Sequence, residues 1–257
     1  MIKLGLLGHN ISYSKSPIIH QMIADKNNLK LSYDLIDLDE NDFTVFMNNL
    51  KNTDYKGLNV TIPYKQKVIP FLDYLTPQAQ KIGAVNTIYQ KNNLLIGDNT
   101  DYNGFLALLK NTNINFSNKK ILVLGTGASA KTIKVVLDDL SLSATYVTSS
   151  NNQDSYFNHI INYQQINTHY DVVINATPVG TLGNEKSPLS KSLVKESIVI
   201  DLVYNPAVTL LMSYAKESYN GLTMLIQQAL AAQKIFFGQQ VELSASQIKE
   251  MEVKIYE

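Results

Sequence analysis

Polar side chains that could handle a small polar molecule gather around one strand end. In the stretch NVTIPYKQKV, Asn59 and Thr61 lie two positions apart and therefore point to one face of an extended strand. Lys65 follows just beyond the proline that ends the strand. Asn86, in GAVNTI, and Asp101, in GDNTDYNG, follow on later elements. Taken singly, Lys65 reads as a solvated lysine and Asp101 as a helix N-cap. Together, neutral hydrogen-bonding groups with one lysine and one aspartate suit a small polyhydroxylated acid.

A second candidate binding feature is the segment SYSKSPIIH. Ser16 precedes a proline, which predicts a helix with Ser16 as its N-cap and Pro17 at the first helical position. A helix start attracts anions. Ser14 and Ser16 are therefore open to two interpretations: capping alone, or capping together with binding of a substrate carboxylate.

A glycine turn in ILVLGTGASAKT has the pattern of a dinucleotide site. Gly125 and Gly127 lie directly after a predicted strand and before a predicted helix. There, glycine lets the backbone approach a pyrophosphate that the helix N-terminus binds. The alternative is a tight turn that needs a positive φ at one glycine.

The same residues leave a P-loop nucleotidase open as a rival. Gly125 to Thr132 matches G-x-x-x-x-G-K-T at each fixed position except Ala130, and Asp201 ends a later strand. Ala130 lacks the backbone freedom that the missing glycine gives to such a loop. A dinucleotide site accommodates Ala130 as an ordinary helical residue.

The residues after the second strand of this half favour NADP over NAD. An NAD site usually has an acidic residue there to bind the ribose 2′-hydroxyl, but the first carboxylate is Asp154. The chain contains no arginine, so the hydroxyls of Thr148, Ser149 and Ser150 and the charge of Lys131 are expected to bind a 2′-phosphate. Because lysine lacks the planar fork of arginine, NAD is the alternative cofactor.

Composition excludes several other classes. The 257 residues include 22 basic and 22 acidic side chains, which gives no electrostatic case for nucleic acid or an anionic membrane. No apolar run approaches the roughly 18 to 20 residues that span a bilayer. The chain has no cysteine, and its four histidines lack metal-ligand spacing, so we expect no metal site. The absence of cysteine and of a signal-peptide pattern leads us to expect a cytoplasmic protein.

Two α/β domains are predicted. Residues 1–101 alternate strands near 2–7, 31–37, 57–61 and 86–89 with helices from Pro17, near Glu40 and after Pro63. The pattern of residues 102–237 predicts a parallel sheet covered on both faces. Residues 238–257 are predicted to form a helix that packs back on the first domain. Ligands are expected in the cleft between the domains.

The whole pattern resembles the shikimate dehydrogenase family. Eight segments match its motifs in order: SKSPIIH, GLNVTIPYK, GAVNT, GDNTDYNG, LGTGASAK, NATPVG, DLVYNP and GLTMLIQQA. They run from residue 14 to residue 229. The resemblance implies a smaller α/β substrate-binding domain, a Rossmann-like NADP domain, and reversible NADPH-dependent reduction of 3-dehydroshikimate to shikimate on the route to chorismate and the aromatic amino acids.

The resemblance also implies residue roles. Lys65 and Asp101 would be the catalytic pair, with protonated Lys65 giving a proton to the ketone oxygen as NADPH delivers hydride. The substrate-binding set would be Ser14, Ser16, Asn59, Thr61, Lys65, Asn86, Asp101, Tyr204 and Gln228. The cofactor-binding set would be Gly125, Thr126, Gly127, Ala128, Ser129, Lys131, Thr148, Ser149, Ser150, Thr177, Leu202, Gly221 and Met224.

The departures from the family pattern fall on the cofactor side. Thr126, Ala128 and Ser129 differ from the usual G-A-G-G-A turn, Thr148 to Ser150 replace Asn-Arg-Thr, and Thr181 replaces a methionine. These changes keep an NAD-using quinate/shikimate dehydrogenase open as an alternative. A non-catalytic sensor of the same ligands is a further alternative, and it conflicts with the intact Lys65 and Asp101. As a partner we expect only a small-molecule substrate, with the chain as a monomer or homodimer.

Overall fold

The protein consists of two compact α/β units in a computed structural model that describes residues 1–149 and 155–256. The first unit contains Met1–Gly104 and Ile226–Glu257, and the second contains Phe105–Leu225. Each unit is built on one six-stranded sheet.

The first unit is a mixed sheet with helices on both faces. Its strands are β1 (Ile2–Gly8), β2 (Leu31–Asp37), β3 (Gly57–Val60), β4 (Tyr74–Leu75), β5 (Thr87–Lys91) and β6 (Leu94–Asp98), in the order β2-β1-β3-β5-β6-β4. Its helices are α1 (Ser16–Lys26), α2 (Glu40–Asn49), α3 (Pro77–Ile82) and the start of α4 (Asp101–Asn111). Strands β1, β2 and β3 are parallel, whereas β5 is antiparallel to β3 and β6.

Two apolar clusters sandwich this sheet. One lies under α2 and α3 and contains Phe43, Leu58 and Tyr64. The other contains Leu4 and Phe236, which comes from the C-terminal part of the unit. The Phe236 ring packs against Gly57 so closely that a Cβ on Gly57 would lie 2.2 Å from it. Burial of these side chains is the main stabilising contribution to the unit.

The second unit is a parallel sheet. Its strands are β7 (Ile121–Leu124), β8 (Ala144–Thr148), β9 (Ile160–Asn162), β10 (Val172–Asn175), β11 (Ile198–Asp201) and β12 (Glu217–Asn220). Its helices are α5 (Ala128–Asp139), α6 (Lys191–Val194), α7 (Leu210–Tyr214) and the start of α8 (Leu222–Phe237). The final helix, α9 (Ala245–Tyr256), belongs to the first unit.

The strand order of the second unit makes it a doubly wound Rossmann fold. The order is β12-β11-β10-β7-β8-β9, and each neighbouring pair is parallel. The chain reverses its direction of winding between β7 and β10. Ligands of such sheets bind beyond the carboxyl ends of the strands at this switch point. The predicted α/β class, with a Rossmann-like second half, is confirmed.

The division of the chain differs from the predicted boundary at residue 237. Most of α8, from Ile226, belongs to the first unit. Ala232 and Phe236 pack into its apolar cluster, and the buried Gln233 donates to the carbonyl of His20, 2.6 Å away. A sequence pattern that identifies α8 as a helix does not reveal which sheet covers it.

Two local predictions are wrong. No α-helix follows Pro63; residues 64–68 form turns, followed by a short 3₁₀ helix at Ile69–Phe71. Ser16 is not an N-cap, because it is already the first residue of α1, and its own backbone N–H donates to Ser14 Oγ.

Within residues 1–149 and 155–256, no helix is long and apolar enough to cross a membrane. The same part of the chain contains no group of three or more His, Asp or Glu side chains that could bind a metal ion.

Candidate functional site

Lys65 and Asp101 form an ion pair in the first unit. Lys65 Nζ lies 2.6 Å from Asp101 Oδ2, and the two side chains are 15% and 10% exposed. This low exposure reduces screening by water, so the pair is more strongly coupled than a surface ion pair. The two positions are 36 apart in sequence, and the fold brings the predicted pair together.

The backbone on both sides of Lys65 is fixed. Tyr64 is 1% exposed, stacks on Phe43 with ring centroids 4.1 Å apart, and donates its hydroxyl to the Leu38 carbonyl. The Lys65 carbonyl accepts from Val85 N–H at 2.7 Å. These contacts anchor the turn after β3, so the amine is held on a rigid support.

Asn86 is the centre of a buried polar network beside this pair. Its Oδ1 accepts from Thr100 N–H at 2.7 Å and from the Thr87 hydroxyl at 2.9 Å. Its Nδ2 donates to Thr100 Oγ1 at 3.1 Å and contacts Gln228 Oε1 at 3.4 Å. Asn86, Thr87 and Thr100 are each at most 2% exposed. The network therefore brings Gln228, from α8, to the polar residues of the sheet.

Asn59 extends the network to the neighbouring strand. Its Nδ2 lies 3.4 Å from the Asn86 carbonyl, and its Oδ1 accepts from the Tyr33 hydroxyl at 2.9 Å. Because Asn59 is 4% exposed, these partners satisfy an amide that has little access to water.

The two serines lie at the start of α1. Ser14 Oγ donates to Ser16 Oγ at 3.1 Å. α1 has no side-chain N-cap, and its first turn has no acidic residue. These features are compatible with an anion at this helix end. Thr61 follows β3, and its backbone N–H donates to the Leu7 carbonyl.

The glycine turn of the second unit lies at the switch point of the sheet. Gly125 follows β7 with φ +102°, and a Cβ there would lie 3.1 Å from Thr177 Cγ2, after β10. Gly127 precedes α5, whose N-terminus has no side-chain cap. Ala130 is fully buried within α5. The turn thus offers uncapped helix N–H groups, as a pyrophosphate site requires.

The end of β8 carries the side chains that sequence assigned to a 2′-phosphate. Thr148 is buried and Ser149 is exposed. Ser150 lies outside the described residues. Lys131 is half-buried in the first turn of α5, with its Nζ 4.8 Å from the centroid of the Tyr156 ring. Hydroxyl and ammonium groups of this kind fit a phosphate ester.

A buried hydrogen-bond network supports the turns after β10 and β11. Asp201 accepts from Asn175 Nδ2 at 2.9 Å, from Val203 N–H at 3.0 Å and from the Thr209 hydroxyl at 2.7 Å. Asn175 Oδ1 in turn accepts from the Thr177 hydroxyl at 2.7 Å. Burial raises the pKa of Asp201 above its ordinary value, and the three donors offset only part of this rise. The network couples the predicted cofactor loops to each other.

The remaining predicted cofactor residues lie next to this network. Leu202 follows β11, and its carbonyl oxygen would lie 2.0 Å from a Cβ on Gly221, so the chain needs glycine at this point. Met224 is buried in the first turn of α8. Tyr204, predicted as a substrate residue, belongs to this second unit and is half-buried.

Comparison with known proteins decides the family. The model of the shikimate dehydrogenase substrate-binding domain matches residues 6–88. A shikimate dehydrogenase (NADP⁺) from Clostridium botulinum, strain Loch Maree, is 38% identical over 245 residues, which cover 90% of this chain and 95% of the relative. The chain belongs to the shikimate dehydrogenase family. Two solved members have the same fold throughout.

The first of these structures is shikimate dehydrogenase 1 from Peptoclostridium difficile, with a TM-score of 0.92 and 31% identity; the match covers 100% of this chain and 98% of that one. The second is shikimate 5-dehydrogenase from Thermus thermophilus in complex with NADP(H) and shikimate. It has a TM-score of 0.88 and 28% identity, with 99% of this chain and 100% of that one covered.

Sequence analysis did not predict three residues whose side chains carry hydroxyl groups and which contact the predicted substrate-binding residues. Tyr33 contacts Asn59, whereas Thr87 and Thr100 contact Asn86. Thr87 and Thr100 lie within the motifs GAVNT and GDNTD, so their position was a usable signal. Tyr33 lies in none of the motifs, and only the pairing of the strands brings it to Asn59.

Proposed function

We propose that this protein is an NADP-dependent shikimate dehydrogenase that reversibly reduces 3-dehydroshikimate to shikimate. The observation that carries the proposal is the ion pair of Lys65 and Asp101, 2.6 Å long and largely shielded from water, beside a buried set of neutral amides. Reduction of a polyhydroxylated cyclic ketone requires a group that transfers a proton and groups that bind hydroxyls. The amine of Lys65 and the neighbouring amides are groups of these two kinds.

In the proposed mechanism, Lys65 handles the proton. NADPH, when bound, supplies the hydride that reduces the ketone carbon. Protonated Lys65 gives a proton from Nζ to the ketone oxygen, and in the reverse direction neutral Lys65 takes the proton of the hydroxyl. Asp101 holds Nζ in place through its Oδ2. Because the turn around Lys65 is anchored, aligning the amine with the substrate costs less conformational entropy.

The other substrate contacts follow from the groups available. Ser14 and Ser16, at the start of α1, bind the carboxylate. Asn59, Asn86 and Gln228 bind ring hydroxyls, and their mutual contacts in the first unit support this assignment. The assignments of Thr61, Asp101 and Tyr204 to the substrate rest on the family motifs.

NADP is the proposed cofactor. The residues of the second unit fit it: a glycine turn and an uncapped helix N-terminus for the pyrophosphate, with Thr148 at the end of β8 and Lys131 in the first turn of α5 for a 2′-phosphate. The Clostridium relative is named as NADP⁺-dependent, and the Thermus enzyme was solved with NADP(H). Because the chain has no arginine, we propose a weaker preference over NAD than a guanidinium contact would give.

A steady-state dehydrogenase assay tests the proposal. Initial rates are measured with NADP⁺ and with NAD⁺, each on shikimate and on quinate. We expect the highest kcat/KM for shikimate with NADP⁺. A higher value with NAD⁺ on either acid would replace the proposal by an NAD-using quinate/shikimate dehydrogenase. Shikimate binding without turnover would indicate a sensor.

The cytoplasmic location and the monomer or homodimer state remain expectations from sequence. The first rests on the absence of cysteine, and size-exclusion chromatography with light scattering determines the second.

A further inference from the structure

The orientation of the Asn59 and Asn86 side-chain amides is determined by backbone groups that can either only donate or only accept a hydrogen bond. Thr100 N–H can only donate. The Asn86 side-chain atom that lies 2.7 Å from it must therefore be the amide oxygen, Oδ1. The Asn86 carbonyl can only accept, and it faces the Asn59 amide at 3.4 Å through Nδ2. Both amides thus have a defined oxygen side and a defined nitrogen side.

Side-chain hydroxyls occupy the oxygen sides. Since Asn59 Oδ1 is an acceptor, the Tyr33 hydroxyl 2.9 Å away must donate to it. The Thr87 hydroxyl donates to Asn86 Oδ1 at 2.9 Å, and the hydroxyls of Thr87 and Thr100 lie 3.1 Å apart. Each amide oxygen is therefore bound by the protein. The Asn59 nitrogen faces the Asn86 carbonyl with one hydrogen and has a second N–H that can donate to a ligand, whereas the Asn86 nitrogen faces Thr100 Oγ1 and Gln228 Oε1.

Tyr33 is held firmly enough to act as a fixed donor. Its ring stacks on the buried imidazole of His20, with centroids 4.4 Å apart and an interplanar angle of 19°. Burial raises the pKa of Tyr33 well above its ordinary value, so the hydroxyl stays protonated across the range of a dehydrogenase assay. In a buried network, the loss of one donor leaves an acceptor unsatisfied, which costs more than the loss of an exposed hydrogen bond.

We propose that Tyr33 is a positioning residue for substrate binding. Its hydroxyl holds the Asn59 amide with oxygen turned away from the ligand and nitrogen toward it, as Thr87 and Thr100 do for Asn86. Asn59 then presents its second amide N–H as a donor, and the ligand hydroxyl oxygen beside it acts as the acceptor. This inference deepens the proposed function and rests on it.

The first test is Tyr33→Phe, which removes the donor and keeps the ring. We expect KM for shikimate to rise about 3- to 10-fold, since the Asn59 amide is free to rotate. We expect kcat to change less than about 2-fold, because Tyr33 does not touch the reacting atoms. KM for NADP⁺ is expected to stay at the wild-type value.

Tyr55→Phe is the matched control. Tyr55 also lies in the first unit and donates its hydroxyl to a side-chain oxygen, Asp34 Oδ2, at 2.7 Å. This variant loses one hydrogen bond of similar type that does not involve Asn59. Its KM for shikimate is expected to stay within about 1.5-fold of wild type.

A double-mutant cycle separates positioning from a general structural effect. If Tyr33 acts through Asn59, Tyr33→Phe introduced into Asn59→Ala raises KM by less than about 1.5-fold. If the two effects multiply in full, Tyr33 acts independently of Asn59 and the inference is overturned. Should Tyr33→Phe fail to fold by circular dichroism, Thr87→Val paired with Asn86→Ala repeats the cycle on the other amide, with the same expected pattern.

The wild-type protein shows which of the two proposals has failed. If it neither binds shikimate by titration calorimetry nor oxidises it, the proposed function is wrong and the inference falls with it. If it oxidises shikimate while Tyr33→Phe keeps the wild-type KM, only the positioning role is wrong.

Discussion

At the scale of the residue, the proposed mechanism depends on one amine. Lys65 lies with its Nζ against Asp101 and with 15% of its side chain exposed. A second lysine, Lys67, follows two positions later and pairs with Glu40, but its side chain is 44% exposed. The two lysines share a turn and differ in surroundings, so they form a matched pair for mutation.

Lys65→Ala is expected to bind shikimate within a few-fold of wild type and to turn over at least ~10²-fold more slowly, since general acid–base catalysis by one side chain contributes about that factor. Titration calorimetry measures the binding, and steady-state kinetics measure kcat. Lys67→Ala is expected to keep kcat, because an exposed ion pair contributes little. Comparable turnover in both variants would remove Lys65 from the mechanism.

The motifs predicted that Lys65 and Asp101 act together, but they do not indicate which other residues contact the predicted site residues. Tyr33 lies 26 positions from Asn59 and reads as an ordinary strand tyrosine. His20, which stacks on it, ends the motif SKSPIIH, but the motif does not indicate this contact. Such contacts arise from tertiary packing, and a local sequence pattern does not predict them.

At the scale of the element, strands and helices with strong periodicity were predictable and irregular segments were not. The strand β6 was missed, although Asn92 and Asn93 form the two-residue turn that joins it to β5, with φ of 51° and 63°. Asparagine tolerates this left-handed region, so the Asn-Asn pair was a usable hairpin signal. After Pro63, residues 64–68 form turns in place of the predicted helix.

Gly221 shows how closely two elements of the second unit approach. β12 ends at Asn220, and a Cβ on Gly221 would lie 2.0 Å from the carbonyl oxygen of Leu202 and 2.6 Å from its carbonyl carbon. Those atoms belong to the backbone of the turn after β11, so they move only if the turn moves. Gly221→Ala therefore displaces the turn that carries Leu202.

We expect Gly221→Ala to lower the free energy of unfolding by about 1 to 3 kcal/mol or more, as overpacking does. Urea unfolding followed by circular dichroism measures the change. Ser218→Ala, in the preceding strand β12, is the control and is expected to stay within about 0.5 kcal/mol of wild type. Equal stabilities for the two variants would contradict the close approach.

At the scale of the whole molecule, the chain returns to its first unit after building the second. The last stretch of α8 and the whole of α9 pack with residues 1–104, so the first unit contains both ends of the chain. The sequence predicted two α/β domains and a returning helix. It placed the boundary after α8, since the apolar face of a helix does not specify its partner sheet.

One buried imidazole makes the stability of this first unit sensitive to acid. His20, on α1, is fully buried, and Gln233, from the returning part of α8, lies 3.3 Å from its Nδ1. Burial lowers the pKa of His20 from 6.5 to about 3. The folded protein therefore keeps the ring neutral, while the unfolded chain takes up a proton as the pH falls below about 6.5.

This difference in pKa destabilises the folded state progressively as the pH falls from 6.5 to about 3. It has no effect above pH 6.5. Between pH 7.5 and 4.5, wild type is expected to lose about 2 to 3 kcal/mol more stability than His20→Gln, which has no ring to protonate. Urea unfolding at both pH values measures the two losses. His169→Gln, at an imidazole that is 52% exposed, is the control and is expected to keep the wild-type loss. Equal losses in wild type and His20→Gln would mean that α1 and α8 open to water before the ring is charged.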